Sequence, residues 1–323
     1  MLVIRSLSTE PAFNLAAEEY LFRNFNDDVF FLYINSPAVV VGKHQNAMAE
    51  INPFYVAENK VKVIRRLSGG GAVYHDLGNL NFSFHQTVPD TSKISFKKFN
   101  EPIVEVLHQL DIAAEVGQRN DIFVDGYKVS GHAEHVFRNR VLSHGTLLFN
   151  ADREALSQAL KNPSFDHFQG KAIQSVRSKV ANISEFLAKP ITIGQFSEMI
   201  QQHVMNSFQL ANKYEFNRFD LEKIEQLATE KYSTREWNFG YSPKYRFVKS
   251  VVSQQRTLDV VLTVEKGIII DVEIKSTEIS EHQMRNIHDR LINVYHNYSE
   301  LESALNTKQI DQLIRSTLLK CLF

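Results

Sequence analysis

The pattern of hydrophobic and polar positions in the N-terminal half predicts short strands interrupted by helices. Residues 14–25 (NLAAEEYLFRNF) have apolar positions near helical spacing and predict an amphipathic helix. A second helical pattern covers residues 103–110. Short apolar runs predict strands at residues 1–7, 30–34, 39–41 and 61–66. The last of these strands leads directly into a glycine-rich segment.

Residues 121–130 contain the sharpest local signal, because an Asp-Gly pair at 125–126 separates two apolar runs and favours a type I′ hairpin. That turn predicts that Phe123 lies opposite Lys128 and that Asp121 lies opposite Ser130. Directly paired residues share a face, so the Asp121 carboxylate and the Lys128 ammonium should project from the same surface. A slip of one residue would separate them.

The C-terminal part shows a second arrangement of elements. Residues 256–264 and 267–274 predict two strands joined by a turn. Residues 281–306 predict one long helix, and the sequence from residue 309 predicts another. Since 323 residues are long for one domain, we expect two, with the boundary at residues 239–244.

Composition and charge exclude several classes of protein. The hydrophobic content of 43% and charged content of 23% are typical of a soluble globular protein, and the net charge of −1 argues against a broad nucleic-acid-binding surface. The single cysteine, Cys321, excludes an intramolecular disulfide or a cysteine metal cluster. No apolar run approaches the ~20 residues that cross a bilayer, and residues 1–7 lack the features of a signal peptide. We therefore expect a cytoplasmic protein that binds neither membrane nor nucleic acid.

The glycine-rich segment at residues 69–71 is the first candidate ligand-binding site. Glycine backbones approach ligands closely, and their N–H groups bind anions. Arg65 and Arg66 precede the segment and offer guanidinium groups for phosphate or carboxylate, while His75 and Asp76 follow it. The spacing is neither that of a Walker loop nor Gly-x-Gly-x-x-Gly. A flexible surface turn is the alternative, but the flanking residues favour a ligand site around Gly69, Gly70, Gly71 and Gly78.

Lys128, His144 and residues 171–182 each allow two interpretations. Most lysines are solvated, but Lys128 precedes a Ser-Gly turn and shares a face with Asp121, where a fixed positive charge stabilises developing negative charge. A lone histidine beside apolar residues, such as His144, is more often structural than a ligand. Residues 171–182 form either a solvated loop or a mobile loop that closes over an anionic intermediate.

Eight motifs stand out along the chain, at residues 14–19 (NLAAEE), 40–46 (VVGKHQN), 65–79, 119–121 (RND), 128–133 (KVSGHA), 144–148 (HGTLL), 175–182 (SVRSKVAN) and 237–240 (WNFG). In sequence and in order, these motifs resemble the lipoate–protein ligase A family, in the superfamily that also contains biotin–protein ligases and octanoyl transferases. The C-terminal segment, which includes residues 264–267 (VEKG), resembles the small C-terminal domain of that family.

The resemblance implies an α+β fold, with a mixed β-sheet packed with helices in a catalytic domain (1–240) and a small αβ accessory domain (241–323). It also implies a two-step reaction. Lipoate, or octanoate, attacks the α-phosphate of ATP to give the acyl-adenylate and pyrophosphate. A lysine of an acceptor, such as glycine-cleavage H protein or a 2-oxoacid dehydrogenase E2 subunit, then attacks the mixed anhydride.

The resemblance also assigns site residues. Lys128 is the catalytic residue and contacts the acyl oxygen and the α-phosphate. Ligand contacts come from Arg66 and from the backbone of Gly71, Ala72, Val73 and Tyr74. The adenylate loop contains Ser175, Val176, Arg177, Ser178 and Lys179. A Mg²⁺ ion is assigned to Asp121, the Ala133 carbonyl and His144, although histidine is an unusual ligand for that ion.

Four alternatives remain open at the level of sequence. A lipoyltransferase that needs preformed lipoyl-adenylate shares the arginine–glycine motif, although Asn120-Asp121 and the 175–179 loop favour the ATP-using ligase. A non-catalytic lipoyl-adenylate-binding module and a biotin ligase are further readings. Cysteine-dependent octanoyl transfer is disfavoured because the sole cysteine is Cys321. His132, Glu134 and His135 depart from the family pattern.

Overall fold

The computed structural model describes residues 1–91, 94–176, 178–253, 256–277 and 279–323. The strands are β1 (Leu2–Arg5), β2 (Val29–Ile34), β3 (Ala38–Val41), β4 (Lys62–Arg65), β5 (Val73–His75), β6 (Asn79–Thr87), β7 (Ala114–Val116), β8 (Ile122–Val124), β9 (Tyr127–Lys128), β10 (Ser130–Phe137), β11 (Arg140–Leu148), β12 (Phe168–Gly170), β13 (Asn212–Lys213), β14 (Tyr245–Ser253), β15 (Arg256–Glu265) and β16 (Ile268–Ser276).

The helices are distributed along the whole chain, and α8, α9 and α10 follow the last strand. Short 3₁₀ helices cover Phe96–Phe99, Phe165–His167 and Ile183–Phe186, and π-helical turns cover Ala228–Tyr232 and Glu236–Gly240. The α-helices are α1 (Pro11–Asn24), α2 (Ala47–Glu50), α3 (Pro53–Glu58), α4 (Glu101–Gln109), α5 (Arg153–Leu160), α6 (Ile193–Ser207), α7 (Arg218–Leu227), α8 (Glu281–Leu291), α9 (Tyr298–Leu305) and α10 (Gln312–Leu322).

A mixed six-stranded sheet, in the order β10-β11-β6-β2-β1-β13, forms the centre of the fold. Strand β1 runs parallel to β2 and β13, and the remaining neighbours are antiparallel. Two three-stranded sheets, β4-β3-β5 and β7-β8-β9, carry the glycine-rich segment and the predicted hairpin. The predicted α+β class with a mixed sheet is confirmed.

Helix α1 confirms the predicted helix at residues 14–25, but the prediction that this helix is amphipathic was wrong. Every residue from Pro11 to Phe22 is buried, because α1 lies between the central sheet and the α7 region. Its polar side chains are paired inside the protein. Asn14 donates to Asn35 Oδ1 at 2.9 Å, and Glu19 accepts a hydrogen bond from the Tyr232 hydroxyl at 2.8 Å. Buried polar groups need such partners, and sequence spacing does not show them.

The C-terminal part confirms the predicted strand pair and corrects the predicted helix at 281–306. Two helices, α8 and α9, replace that single helix. Between them Asn293 has φ of +66°, a left-handed conformation that ends a helix. Asn297 then caps α9 by accepting a hydrogen bond from the Glu300 N–H at 3.1 Å. Asn297 and Glu300 are a sequence signal for the start of a helix, but the apolar periodicity across residues 281–306 led to a prediction of one continuous helix.

The C-terminal sheet, in the order β12-β14-β15-β16, takes its edge strand β12 from before residue 240. One hydrophobic cluster also combines Val39, Val41 and Tyr74 with side chains of β14–β16 and α10. The division into 1–240 and 241–323 stays a prediction. Within the described part of the chain, every helix is too short or too polar to cross a membrane.

Candidate active site

Two adjoining cavities lie between β5, the hairpin that carries Lys128, and residues 173–176. Their volumes are about 350 Å³ and about 610 Å³. Lys128 lines both cavities, so this residue lies where they meet. The other residues that line both are Ala72, Val73, Gly131, Thr146, Gln174, Ser175 and Val176.

The predicted hairpin sets the position of Lys128. Asp125 and Gly126 have φ of 48° and 77°, and Phe123 pairs with Lys128, as the type I′ turn requires. Lys128 Nζ lies 2.8 Å from Asp121 Oδ2, with 22% and 12% of the two side chains exposed. The prediction that Lys128 and Asp121 project from one face is confirmed. The carboxylate therefore fixes an ammonium group at the junction of the cavities.

Arg65 does not face the cavities, although the sequence suggested that it offers its guanidinium to a ligand. It is fully buried and donates to the backbone carbonyls of Gly42, Gln45 and Asn238 at 2.8–2.9 Å. Its own carbonyl accepts a hydrogen bond from Trp237 Nε1 at 2.8 Å. Arg65 thus joins β4 to the Trp237–Asn238 motif, and its role is structural.

Arg66 lines the smaller cavity and shapes the glycine-rich segment. Its guanidinium donates to the carbonyls of Gly69 and Gly71 at 2.6 and 2.8 Å, and to Val40 O at 3.1 Å. Burial lowers the pKa of Arg66 to about 10, so it stays charged at neutral pH. Gly70, with φ of +86°, turns the backbone around this guanidinium.

A buried chain of hydrogen bonds extends from Arg66 to Glu18. Arg66 Nε donates to Ser68 Oγ at 2.9 Å, and Ser68 Oγ lies 2.6 Å from His144 Nε2. His144 Nδ1 lies 2.8 Å from Glu18 Oε2. A carboxylate accepts only, so His144 Nδ1 donates to Glu18. Glu18 lies within the 14–19 motif, but nothing in the local sequence distinguishes it from Glu19.

The residues assigned to a divalent ion are neighbours, but they do not fit one equally. Ala133 and His144 are paired across β10 and β11, and both line the smaller cavity with Asp121. Both ring nitrogens of His144 are already hydrogen-bonded, so its side chain does not fit a metal ligand. Asp121 presents a carboxylate at the cavity, where Mg²⁺ commonly binds through one carboxylate and substrate phosphates. Over the described residues, histidine, cysteine, aspartate and glutamate side chains form no cluster of three that could hold a metal.

His75 and Asp76 have different places. His75 lines the smaller cavity, where Nδ1 lies 2.9 Å from Asn35 Nδ2, and burial lowers its pKa to about 3. Asp76 accepts hydrogen bonds from Gly78 N and Asp152 N, both at 2.8 Å, and so holds a turn. His75 is therefore a neutral wall residue, and Asp76 is structural.

The loop assigned to the adenylate lies against both cavities. Ser175 and Val176 line both, Ser178 lines the larger, and the Lys179 carbonyl accepts a hydrogen bond from Lys128 N at 2.9 Å. Arg177 lies outside the described residues. The described residues of this loop therefore border the cavities, and closure over an anionic intermediate stays a prediction.

The walls away from Lys128 differ between the cavities, and the sequence did not assign them. In the smaller cavity Leu15, Tyr33 and Val40 form an apolar surface beside Asn81. The larger cavity combines apolar side chains with two cations at its edge. These residues are Leu148, Leu156, Leu160, Phe165, Arg153 and Lys161.

Comparison with known proteins agrees with the motifs. Residues 10–205 match the lipoyl protein ligase A/B catalytic domain, and residues 242–322 match the bacterial lipoate protein ligase C-terminus. The chain is 44% identical to lipoate-protein ligase LplJ of Bacillus subtilis, over 82% of this chain and 81% of that one. It is 39% identical to lipoate–protein ligase 1 of Staphylococcus aureus, over 92% and 91%.

Solved structures with the same fold include two with bound small molecules. A putative lipoate protein ligase from T. acidophilum with bound lipoic acid has a TM-score of 0.63 at 26% identity, covering 74% of this chain and 98% of that one. Lipoate-protein ligase A bound with ATP has a TM-score of 0.62 at 28% identity, with the same coverage. Together with the motifs and the site geometry, these matches show that the chain belongs to the lipoate–protein ligase family.

Proposed function

We propose that this protein is an ATP-dependent lipoate–protein ligase, which converts lipoate to lipoyl-AMP and transfers the lipoyl group to a lysine of an acceptor domain. The observation that carries the proposal is Lys128, held by Asp121 where two cavities meet. An adenylate-forming enzyme must bring a carboxylate and a phosphate together, and a fixed cation between them lowers the repulsion.

The two cavities suit the two substrates. The apolar wall of Leu15, Tyr33 and Val40 suits the acyl chain and its dithiolane ring, so we assign lipoate or octanoate to the smaller cavity. We assign ATP to the larger cavity, where Arg153 and Lys161 lie at the edge. With this arrangement the acyl carboxylate and the α-phosphate both approach Lys128.

In the first step, a carboxylate oxygen of lipoate forms a bond to the α-phosphorus, and the bond from that phosphorus to the bridging oxygen of pyrophosphate breaks. Lys128 stabilises the charge on the acyl oxygen and the α-phosphate. In the second step, the acceptor lysine nitrogen attacks the acyl carbon, AMP leaves with the bonding electrons, and the amine loses a proton. Neither step forms a covalent bond to the enzyme.

The remaining assigned residues act through their backbone or their position. Arg66 orders the glycine-rich segment, which presents the backbone of residues 71–74 to the ligands. Ser175, Val176, Ser178 and Lys179 form the wall that covers the adenylate, in the loop that also contains Arg177. Of the proposed Mg²⁺ ligands we retain Asp121 and the Ala133 carbonyl, and we omit the hydrogen-bonded His144 side chain. Bound Mg²⁺ would neutralise phosphate charge.

The acceptors we propose are lipoyl domains, such as those of H protein and E2 subunits. A structure that includes a bipartite lipoate protein ligase of Thermoplasma acidophilum and its E2 lipoyl domain, at 26% identity, supports this class of partner. We propose residues 241–323 as the accessory domain. The cytoplasmic location stays a prediction.

The test combines purified protein with lipoate, Mg²⁺ and ATP, with and without an H-protein acceptor, and measures pyrophosphate and lipoylated lysine. We expect pyrophosphate in both mixtures and lipoylation only with acceptor. A protein that releases no pyrophosphate but transfers from lipoyl-AMP is a lipoyltransferase. One that does neither but binds lipoyl-AMP is a binding module, and suppression of turnover by biotin would indicate a biotin ligase.

A further inference from the structure

The hydroxyl of Ser175 bonds to three separate parts of the chain. It donates to Glu50 Oε2 at 2.5 Å, and it accepts from the backbone N–H of Ala72 at 2.9 Å. Gln45 Nε2 lies 3.1 Å from the same oxygen. Glu50 ends helix α2, and Ala72 follows the glycine-rich segment, so the hydroxyl fixes one end of the loop. We call Glu50, Ser175 and the Ala72 N–H the latch.

The glycine-rich segment is shaped to admit the latch. A Cβ atom on Gly71 would lie 2.9 Å from Ser175 Oγ and 3.2 Å from Ser175 Cα, closer than such atoms normally approach. The absence of a side chain at Gly71 therefore lets the serine reach the Ala72 N–H.

The other end of the loop is held by the strand of Lys128. Lys128 N donates to the Lys179 carbonyl at 2.9 Å, and Ala181 N donates to the Lys128 carbonyl at 3.2 Å. The loop therefore extends from the glycine-rich segment to the backbone of the catalytic lysine. Ser175 and Val176, next to the latched end, line both cavities. A change at the latch alters the walls of both.

The carboxylate of Glu50 is the buried charged part of the latch. Glu50 is only 6% exposed, and burial raises the pKa of its carboxyl group, while the hydrogen bonds from Ser175 and Gln45 oppose that rise. A hydrogen bond to a charged acceptor is stronger than one between neutral groups. Ser175 is therefore held more firmly by its two hydrogen bonds, to Glu50 and to the Ala72 N–H, than it would be by the bond to Ala72 alone.

We propose that Glu50 is a positioning residue that, through Ser175, holds the loop across both cavities and retains the acyl-adenylate until an acceptor lysine attacks it. This inference rests on the proposed adenylate-forming reaction. When the latch is lost, water attacks the acyl carbon of the exposed mixed anhydride and gives lipoate and AMP. Pyrophosphate release then exceeds acceptor lipoylation.

The experiment uses the full chain with lipoate, ATP, Mg²⁺ and an acceptor lipoyl domain, and measures pyrophosphate and lipoylated lysine in the same samples. For Glu50→Ala and Ser175→Ala we expect pyrophosphate to exceed lipoylated lysine by about threefold or more, because loss of one charge-assisted hydrogen bond shifts the latch by about tenfold. Glu50→Gln keeps an acceptor oxygen but loses the charge, so its ratio of pyrophosphate to lipoylated lysine should lie between those of the wild type and Glu50→Ala. The matched control is Glu58→Ala, an exposed glutamate on α3.

Hydrogen exchange of the Ala72 amide provides a second readout that does not need turnover. Exchange should rise in Glu50→Ala and stay at the wild-type rate in Glu58→Ala. Equal amounts of pyrophosphate and lipoylated lysine in Glu50→Ala, or unchanged Ala72 exchange, would overturn the latch. A wild-type protein without lipoate-dependent pyrophosphate release would instead overturn the proposed function, and the latch with it.

Discussion

Replacement of Lys128 by alanine is the most direct perturbation of the proposed chemistry. It removes the ammonium that lies 2.8 Å from Asp121 Oδ2 and lines both cavities. Removal of one preorganised group that stabilises transition-state charge costs about 10²–10³ in kcat. We expect a loss of at least that size in lipoate-dependent pyrophosphate release, because Lys128 is proposed to contact the acyl oxygen and the phosphate together.

The same substitution should leave the protein folded. Asp121 loses its ion pair, but it still accepts a hydrogen bond from His132 N at 3.1 Å, and 12% of its side chain is exposed. The expected stability loss is therefore about 1–3 kcal/mol, measured by chemical denaturation. Lys308→Ala, which changes an exposed lysine, is the control. Wild-type pyrophosphate release by folded Lys128→Ala would refute the role given to Lys128.

Three further predictions concern Arg65, the buried histidines and Gly71. Arg65→Ala should destabilise the fold by about 3–5 kcal/mol, seen as a lower denaturation midpoint, because it leaves buried carbonyls unpaired; an unchanged midpoint would contradict its structural role. Burial lowers the pKa of His75 to about 3 and of His296 to about 4, so below pH ~6.5 the unfolded chain binds protons that the folded chain does not. Stability should therefore fall by about 1.4 kcal/mol per pH unit per histidine from pH ~6.5 towards these values, and His296→Gln should flatten that slope. Gly71→Ala should displace Ser175 and slow lipoylation about tenfold or more, with a loss in the free energy of unfolding within about 3 kcal/mol; wild-type kinetics would show that the loop tolerates the methyl group.

Local sequence was sufficient where a short segment determines its own geometry. The Asp-Gly pair at 125–126 favours one hairpin register, and that register brings Asp121 and Lys128 together. Short apolar runs also predicted β1 and β2 of the central sheet, together with β3 and β4 of the neighbouring sheet. In each case the interacting residues lie within about ten positions of one another in sequence, so the local sequence pattern is sufficient to predict the element.

Contacts between distant segments produced the errors and the omissions. The two arginines are adjacent in sequence, yet Arg65 bonds to carbonyls of residues 42, 45 and 238 while Arg66 lines a cavity. Arg65 ends β4 and Arg66 directly follows it, and the Arg-Arg pair itself does not show which of the two side chains meets the ligand. Helix α1 looked amphipathic because the partners of its buried polar groups are far away in sequence.

The sequence by itself therefore indicated the family, the mixed α+β class and the hairpin that brings Lys128 to Asp121, because motif order and short-range turn geometry are properties of the chain. The tertiary structure alone placed Lys128 between two cavities, linked Arg66 through Ser68 and His144 to Glu18, and joined Glu50 to Ser175. The physical reason is that hydrogen bonds to buried charges act over about 3 Å, and only the packing of sheets and helices brings residues 50 and 175 within that distance.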